Sequence, residues 1–222
     1  MQKIEGNSGE KFIPGKDPIE LTNNMNAFLE FSAAMRASAI TLVRIANDLK
    51  LLGSGPKTAI GELYLPEVEP GSSIMPGKIN PSIPEAVEMA GYQVIANDTA
   101  VMLACKGGQL QLNTNTPLIA QNLLFSMELI ANACRMFREL CIVGIKADSE
   151  RSKSLLYSGL ILATALNPYF GYQKMSELVK EALSRKITIY EIILEKKLLT
   201  KEQLDELLAP ENLVGPREAK KL

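Results

Sequence analysis

The chain has 222 residues, a net charge of −1 at pH 7 and an isoelectric point near 5.8. This charge balance offers no basic surface for nucleic acid and none for an anionic membrane. Aromatic residues make up only 5% of the chain and Trp is absent. That composition, rich in Ala, Leu, Ile and Met, is typical of closely packed helices and not of a β-sandwich.

Several kinds of chemistry are excluded or disfavoured by the residues present. The chain contains no histidine, so its own residues cannot perform Ser-His, Cys-His or His-metal chemistry. Cys105, Cys134 and Cys141 are odd in number and lack metal-ligand spacing, which favours reduced thiols in helical cores. Neither a metal site nor a cofactor is predicted. No membrane span and no signal core is evident, so we expect a cytoplasmic protein.

The first long element predicted in the chain is a helix. Residues 1–20 are polar and irregular, and from about residue 21 to residue 52 apolar side chains recur every three or four positions. The Gly53–Pro56 turn is expected to end this helix. Its other face is not purely charged and carries several small residues, as in the interior of a bundle. A monomer would leave much apolar surface in water, so we expect self-association.

Three more long helices follow, and a short-helix region closes the chain. The helices are predicted from Pro84 to about Ala104, from Pro117 with Thr116 as cap to about Cys141, and from the N-cap Asp148 to about Ala165, ended by Asn167-Pro168. Later helices are short, and capping boxes are predicted at Thr188 and Thr200. No segment has the pattern of a strand. The predicted fold class is therefore all-α, a long-helix bundle plus a small helical C-terminal domain.

The predicted domain boundary falls where the charge density rises and the helices shorten. We place it so that residues 1–170 form the central helical portion and residues 171–222 the small C-terminal domain. Residues 216–222 are expected to be a frayed tail.

Residues 71–81, between two helical patterns, read Gly-Ser-Ser-Ile-Met-Pro-Gly-Lys-Ile-Asn-Pro. Pro76 and Pro81 disfavour helix before them, and the glycines permit turns, so this segment is predicted to be a loop. A linker would also be rich in Gly, Ser and Pro, which is the simplest alternative. The loop nevertheless contains hydroxyl groups, an ammonium group and an amide close together.

Ser72, Lys78 and Asn80 together could remove a proton next to a carboxylate. A free Ser hydroxyl is a poor base, but backbone N–H groups and an ammonium can stabilise its alkoxide. Proton removal would generate an enediolate, which preorganised donors stabilise. Lys78 brings charge to that oxyanion and Asn80 a directional amide. The surrounding Gly and Pro residues are consistent with a loop that closes over its ligand.

The loop resembles the signature G-S-S-x-M-P-x-K-x-N-P of the fumarase/aspartase superfamily, and every fixed position is filled. The resemblance implies a lyase that adds or removes a small group across the double bond of fumarate. It implies that Ser72 is the general base that takes the C3 proton. Lys78 and Asn80 would bind the substrate and stabilise the intermediate.

The neighbouring loop residues receive smaller roles by the same resemblance. Gly71 is a fixed position of the signature, and Ser73 would contribute loop geometry or a hydrogen bond. Met75 is expected to pack rather than to contact the reacting groups.

Other segments resemble the aspartase branch more than the fumarase branch. These are Gly-Gln-Leu-Gln-Leu-Asn at residues 108–113 and Leu-Asn-Pro-Tyr-Phe-Gly at residues 166–171, whereas residues 47–56 are similar in both branches. The resemblance thus implies conversion of L-aspartate to fumarate and ammonia. A fumarase acting on malate is one alternative, and a catalytically silent helical assembly module is another.

The resemblance covers only the C-terminal half of a superfamily protein. Two earlier segments are missing, one with a Ser-Ser-Asn-Asp-like run that binds substrate and one with a Thr-x-His motif. In the family, three subunits of a homotetramer build each active site. The resemblance therefore implies that this chain is inactive alone, and that a separate N-terminal half is a candidate partner beside further copies of the chain.

Overall fold

A computed structural model describes residues 5–7, 9–55 and 57–214. Helices dominate these residues, which confirms the predicted all-α class. Contacts divide the chain into two compact units, Met1–Lys146 and Ala147–Leu222.

The first unit is a bundle of three long helices. Its helices are α1 (Pro18–Asn23), α2 (Asn26–Leu52), α3 (Ser82–Lys106) and α4 (Thr116–Leu140), followed by a 3₁₀ turn at Ile142–Gly144. Helix α3 packs against both α2 and α4. At Gly91 of α3, an added Cβ would lie 2.4 Å from Cγ2 of Val43 on α2, so the two helices approach closely where a side chain is absent.

The core of this bundle consists of small and branched apolar side chains. Buried members are Ala39, Ala46, Val87, Val94, Val101, Ala104, Ile119, Leu123, Ala133 and Phe137. They recur at helical spacing on α2, α3 and α4, as the periodicity of the sequence predicts.

The starts of four helices differ from the predictions. The first long helix, predicted from about residue 21, begins at Asn26. Pro18, expected in an irregular segment, is the first residue of α1, because the Asp17 carboxylate accepts from the N–H groups of Ile19 and Glu20 at 2.9 and 3.2 Å. Pro is tolerated there since the first helical N–H has no intrahelical partner. Helix α3 begins at Ser82 and contains Pro84 in its first turn, where the same argument applies. Thr116 is the first residue of α4 and not its cap, which is Asn115 without a side-chain hydrogen bond.

A two-stranded sheet is also present, although no strand was predicted from the sequence. Strand β1 (Leu63–Tyr64) pairs with β2 (Lys146–Ala147). Each strand has two residues, which is too short for an alternating pattern to be recognised.

The second unit packs short helices around its own core. They are α5 (Ser149–Ser158), α6 (Ile161–Phe170), α7 (Tyr172–Arg185), α8 (Ile189–Glu195), α9 (Lys201–Leu207) and α10 (Pro210–Leu213). Its core contains Leu162, Leu166, Met175, Leu178, Ala182, Ile189, Ile192, Ile193, Leu204 and Leu208. Both predicted capping boxes, at Thr188 and Thr200, are confirmed.

The predicted fourth long helix is wrong in its length. Asp148 does cap it, accepting from Arg151 N at 2.9 Å, but α5 ends at Ser158, and the backbone of the following Gly159 is extended. A second helix, α6, then carries Pro168 inside it and ends at Phe170. Because α6 ends two residues after Pro168, the ring interrupts only its last turn.

The two compact units divide at residue 146, whereas the predicted domain boundary lies at residue 170. Leu162 and Leu166 of α6 belong to the same core as Met175 and Leu178 of α7. Sequence composition changes after α6, but packing joins α6 to the helices that follow it. The predicted frayed tail, residues 216–222, lies outside the described residues.

Candidate active site

The loop of residues 71–81 connects β1 to α3 and is neither helix nor strand, as predicted. Its two limbs are joined at the base. Asn80 Nδ2 donates to the carbonyl oxygen of Gly71 at 2.6 Å, and Ser82 Oγ donates to the carboxylate of Glu69. A Cβ added at Gly71 would lie 1.6 Å from the carbonyl oxygen of Lys78. Glycine is therefore required where the limbs meet.

Ser72 lies half-buried at the start of this loop. Its Oγ accepts from the backbone N–H groups of Ile74 at 3.2 Å and Met75 at 3.1 Å. Donors on the oxygen stabilise its deprotonated form relative to the hydroxyl, as a general base requires. The loop backbone itself thus supplies the two donors.

Lys78 and Asn80 occupy the other limb of the loop. Lys78 is exposed and lines a cavity of about 550 Å³ beside the loop. Asn80 is half-buried, and its side-chain amide donates to the carbonyl oxygen of Gly71. This hydrogen bond stabilises the loop. The structure thus brings Ser72, Lys78 and Asn80 onto one closed loop.

The side chains of the remaining predicted site residues of the loop, Ser73 and Met75, are exposed to solvent. Ser73 is exposed, and Met75, which was expected to pack, is 48% exposed. The packing role assigned to Met75 is thus not met within this chain.

The cavity beside Lys78 lies between the loop and the C-terminal end of α2. Its walls include Lys50, Gly53, Ser54, Leu63, Tyr64, Leu65, Pro76, Gly77, Ile79 and Pro81. Apolar side chains and two lysines, Lys50 and Lys78, therefore line the space next to the loop, a combination common in small-molecule sites.

Two ionic contacts between α2 and α3 involve buried carboxylates and were not predicted from the sequence. Lys50 forms an ion pair with Glu88, which is 7% exposed. Further along both helices, Arg36 pairs with Asp98 at 2.5 Å. The sequence signal for such ion pairs is a carboxylate on the apolar stripe of a helix, because a buried charge without a partner would be costly.

The described thiols and carboxylates do not form a metal site. Among the residues that the structure describes, no group of three or more His, Cys, Asp and Glu side chains could hold a metal ion. Burial raises the pKa of the Cys105 and Cys141 thiols, which keeps them protonated near neutral pH. Cys134, expected in a core, is exposed instead, because it lies on the outer face of α4.

Comparison with known proteins places these features in a family. The family model described as "Lyase" matches residues 4–96, and the one described as "Fumarase C C-terminus" matches residues 162–215. An aspartate ammonia-lyase from Pseudomonas canavaninivorans is 46% identical over 217 residues, which are 98% of this chain and 46% of that protein. A class II fumarate hydratase from Pseudomonas putida is 44% identical over 209 residues, 94% of this chain and 45% of that protein.

A solved structure shows the same fold. The fumarate lyase:delta crystallin from Brucella melitensis, bound to cobalt, superposes with a TM-score of 0.89 at 42% identity and covers 97% of this chain and 46% of that chain. The present chain spans about half the length of the curated relatives that it matches. In the part of the chain that the structure describes, no helix is long and apolar enough to cross a membrane.

Proposed function

Because this chain belongs to the fumarase/aspartase superfamily, we propose that it supplies the C-terminal half of a lyase that converts L-aspartate to fumarate and ammonia. The observation that carries the proposal is the placement of two backbone N–H groups on Ser72 Oγ within a loop closed at its base. A hydroxyl held in this way is suited to act as a base, and Lys78 lies on the same loop.

In the proposed reaction, the Ser72 alkoxide takes a proton from C3 of L-aspartate. The electron pair of the broken C–H bond moves into the adjacent carboxylate, which becomes an enediolate. The Lys78 ammonium stabilises that oxyanion. Asn80 uses one amide hydrogen for Gly71 and has a second N–H to offer the carboxylate. Collapse of the enediolate forms the C2–C3 double bond and breaks the C2–N bond, releasing fumarate and ammonia.

The proposal includes partners, because substrate must be held at both carboxylates and at the amine. Positioning of this kind supplies several kcal/mol of a barrier, of the order of 7–11 in well-oriented systems. We propose that the active form is a cytoplasmic homotetramer in which each active site also needs the segments that correspond to the N-terminal half of the relatives. The exposed apolar side chains on α3 and α4, such as Met89 and Leu124, support association.

A fumarate hydratase is the second candidate, and a specific observation favours it. The Pseudomonas putida class II fumarate hydratase is 44% identical to the chain, close to the 46% of the aspartate ammonia-lyase. Proton removal from C3 is the same step for malate as for aspartate, and only the leaving group differs. The two candidates therefore share Ser72, Lys78 and Asn80 and are separated by substrate.

A chimera tests both candidates. The N-terminal part of the Pseudomonas canavaninivorans enzyme is joined to residues 1–222, and formation of fumarate is followed by ultraviolet absorbance with L-aspartate and with L-malate. We expect turnover of L-aspartate. Ser72→Ala should lower kcat by about 10²–10⁴-fold, the usual contribution of a general base. Ser73→Ala, the neighbouring exposed hydroxyl, is the matched control and should stay within a few fold.

Lys78→Ala extends the same experiment. Its charge serves both the bound substrate and the enediolate, so KM should rise while kcat falls. Turnover that survives in Ser72→Ala would remove the proposed mechanism. A folded chimera that turns over neither substrate would favour the silent assembly module.

A further inference from the structure

The ion pair between Lys50 and Glu88 lies next to the start of α3, where the loop ends. Lys50 is in the last turn of α2, and Glu88 is in the second turn of α3. Their side chains are 25% and 10% exposed, so the pair is largely withdrawn from water. The Tyr92 hydroxyl donates to the other Glu88 oxygen at 3.5 Å. A pair so enclosed fixes the relative position of the two helix ends.

Two hydrogen bonds continue from the start of α3 into the loop. Pro84 and Val87 bury this end of the helix. Ser82 holds Glu69, and Asn80 holds the carbonyl group of Gly71. Gly71 directly precedes Ser72, so a shift of α3 would also shift the residue that carries the candidate base.

Lys50 also faces the loop across the neighbouring cavity. Its side chain lines the cavity that Lys78 and Pro76–Ile79 line from the loop. A displacement of Lys50 would therefore change both the start of α3 and the wall that faces the loop.

We propose that Lys50 and Glu88 are positioning residues of the site, holding the start of α3 so that Ser72 Oγ stays between the N–H groups of Ile74 and Met75. Neither residue touches the reacting atoms in this proposal. The inference rests on the proposed function for its catalytic consequence but not for its structural one. The Ile74 and Met75 amides report the structural consequence directly, since both donate to Ser72 Oγ.

Hydrogen–deuterium exchange of the full 222-residue chain, read residue by residue by NMR, tests the structural consequence. In Glu88→Gln, the Ile74 and Met75 amides should exchange at least about 10-fold faster than in the parent chain, because local opening sets their protection. Lys50→Arg, which keeps the charge, should retain the parent rates. Asp98→Asn is the matched control, since it weakens the other ion pair between α2 and α3 without adjoining the loop.

A second variant keeps the test decisive if Glu88→Gln does not fold. The double change Lys50→Met and Glu88→Leu replaces the pair by apolar side chains, which buried ion pairs commonly tolerate. It should leave the melting temperature near that of the parent and still accelerate exchange of Ile74 and Met75. Unchanged loop amides in both variants, or equal acceleration in Asp98→Asn, would overturn the proposal.

The catalytic consequence is measured separately in the chimera. Glu88→Gln should lower kcat by about 10-fold or more with a smaller change in KM, because positioning errors act on the reacting geometry. If no variant and no parent chimera turns over substrate, the proposed function fails while the exchange result still decides the positioning role.

Discussion

At the scale of single residues, Gly71 has the strictest requirement in the loop. An alanine Cβ there would lie 1.6 Å from the Lys78 carbonyl oxygen. The backbone would have to move to remove this clash. Gly77 in the same loop is different: its φ is +76° and nothing lies within 4 Å of an added Cβ. An alanine at Gly77 meets only the backbone cost of a left-handed conformation, about 1–2 kcal/mol.

The pair Gly71→Ala and Gly77→Ala therefore separates crowding from backbone strain. We expect Gly71→Ala to break the contact between Asn80 and Gly71 and to lower kcat of the chimera by about 10²-fold, the effect of misplacement near 1 Å. Gly77→Ala should cost much less activity. The helical content, measured by circular dichroism, should be retained in both because the loop is outside the bundle core. Equal activity in the two variants would contradict the crowding argument.

At the scale of elements, the capping box at the start of α8 links sequence, stability and pH. Thr188 Oγ1 accepts from Glu191 N at 3.1 Å, and the Glu191 carboxylate accepts from Thr188 N at 2.7 Å. The backbone and side chain of Thr188 hold the pKa of Glu191 below its ordinary value. Because the folded pKa is lowered, the carboxylate stabilises the fold above its unfolded pKa and stops doing so as pH falls through the folded value.

We expect Thr188→Ala to lower the free energy of unfolding of the second unit by about 1 kcal/mol at pH 7. In Glu191→Gln, the free energy of unfolding should fall less on acidification than in the parent chain. The reason is that residue 191 no longer titrates below about pH 4.5, the ordinary range of a Glu carboxyl. Urea unfolding of residues 147–222 at pH 7 and pH 3 measures both. Glu177→Gln, an exposed carboxyl on α7, is the control. A Thr188→Ala variant as stable as the parent at pH 7 would contradict the cap.

The capping boxes could be predicted because all their partners lie within four residues. The loop at 71–81 could be predicted for a similar reason, since its Gly and Pro residues act on their own backbone. The pair of Lys50 and Glu88 could not, because it joins residues 38 positions apart and depends on how α2 and α3 pack. The break at Gly159 could not be predicted, because its extended backbone is open to any residue and a single Gly is also tolerated inside a helix.

At the scale of the whole molecule, each compact unit has a core of its own, yet the first leaves many apolar side chains in water. Met89 and Leu124 are each 65% exposed, Leu103 is 58% exposed, and Phe28 and Phe31 of α2 are nearly half exposed. Isolated apolar side chains are ordinary on a protein surface, but this set extends along all three long helices. Such a surface is typical of a protein that associates.

We therefore expect the purified chain to sediment as an oligomer at micromolar concentration. Burying a side chain such as Leu124 contributes about 1.5–3 kcal/mol, and a symmetric assembly repeats that gain in every copy. Leu124→Glu should shift the sedimentation coefficient toward the monomer while circular dichroism stays helical, because position 124 lies outside the bundle core. Leu183→Glu, at a 57% exposed site of the second unit, is the matched control and should leave association unchanged. A parent chain that sediments as a clean monomer would show that the exposed apolar faces do not bind one another.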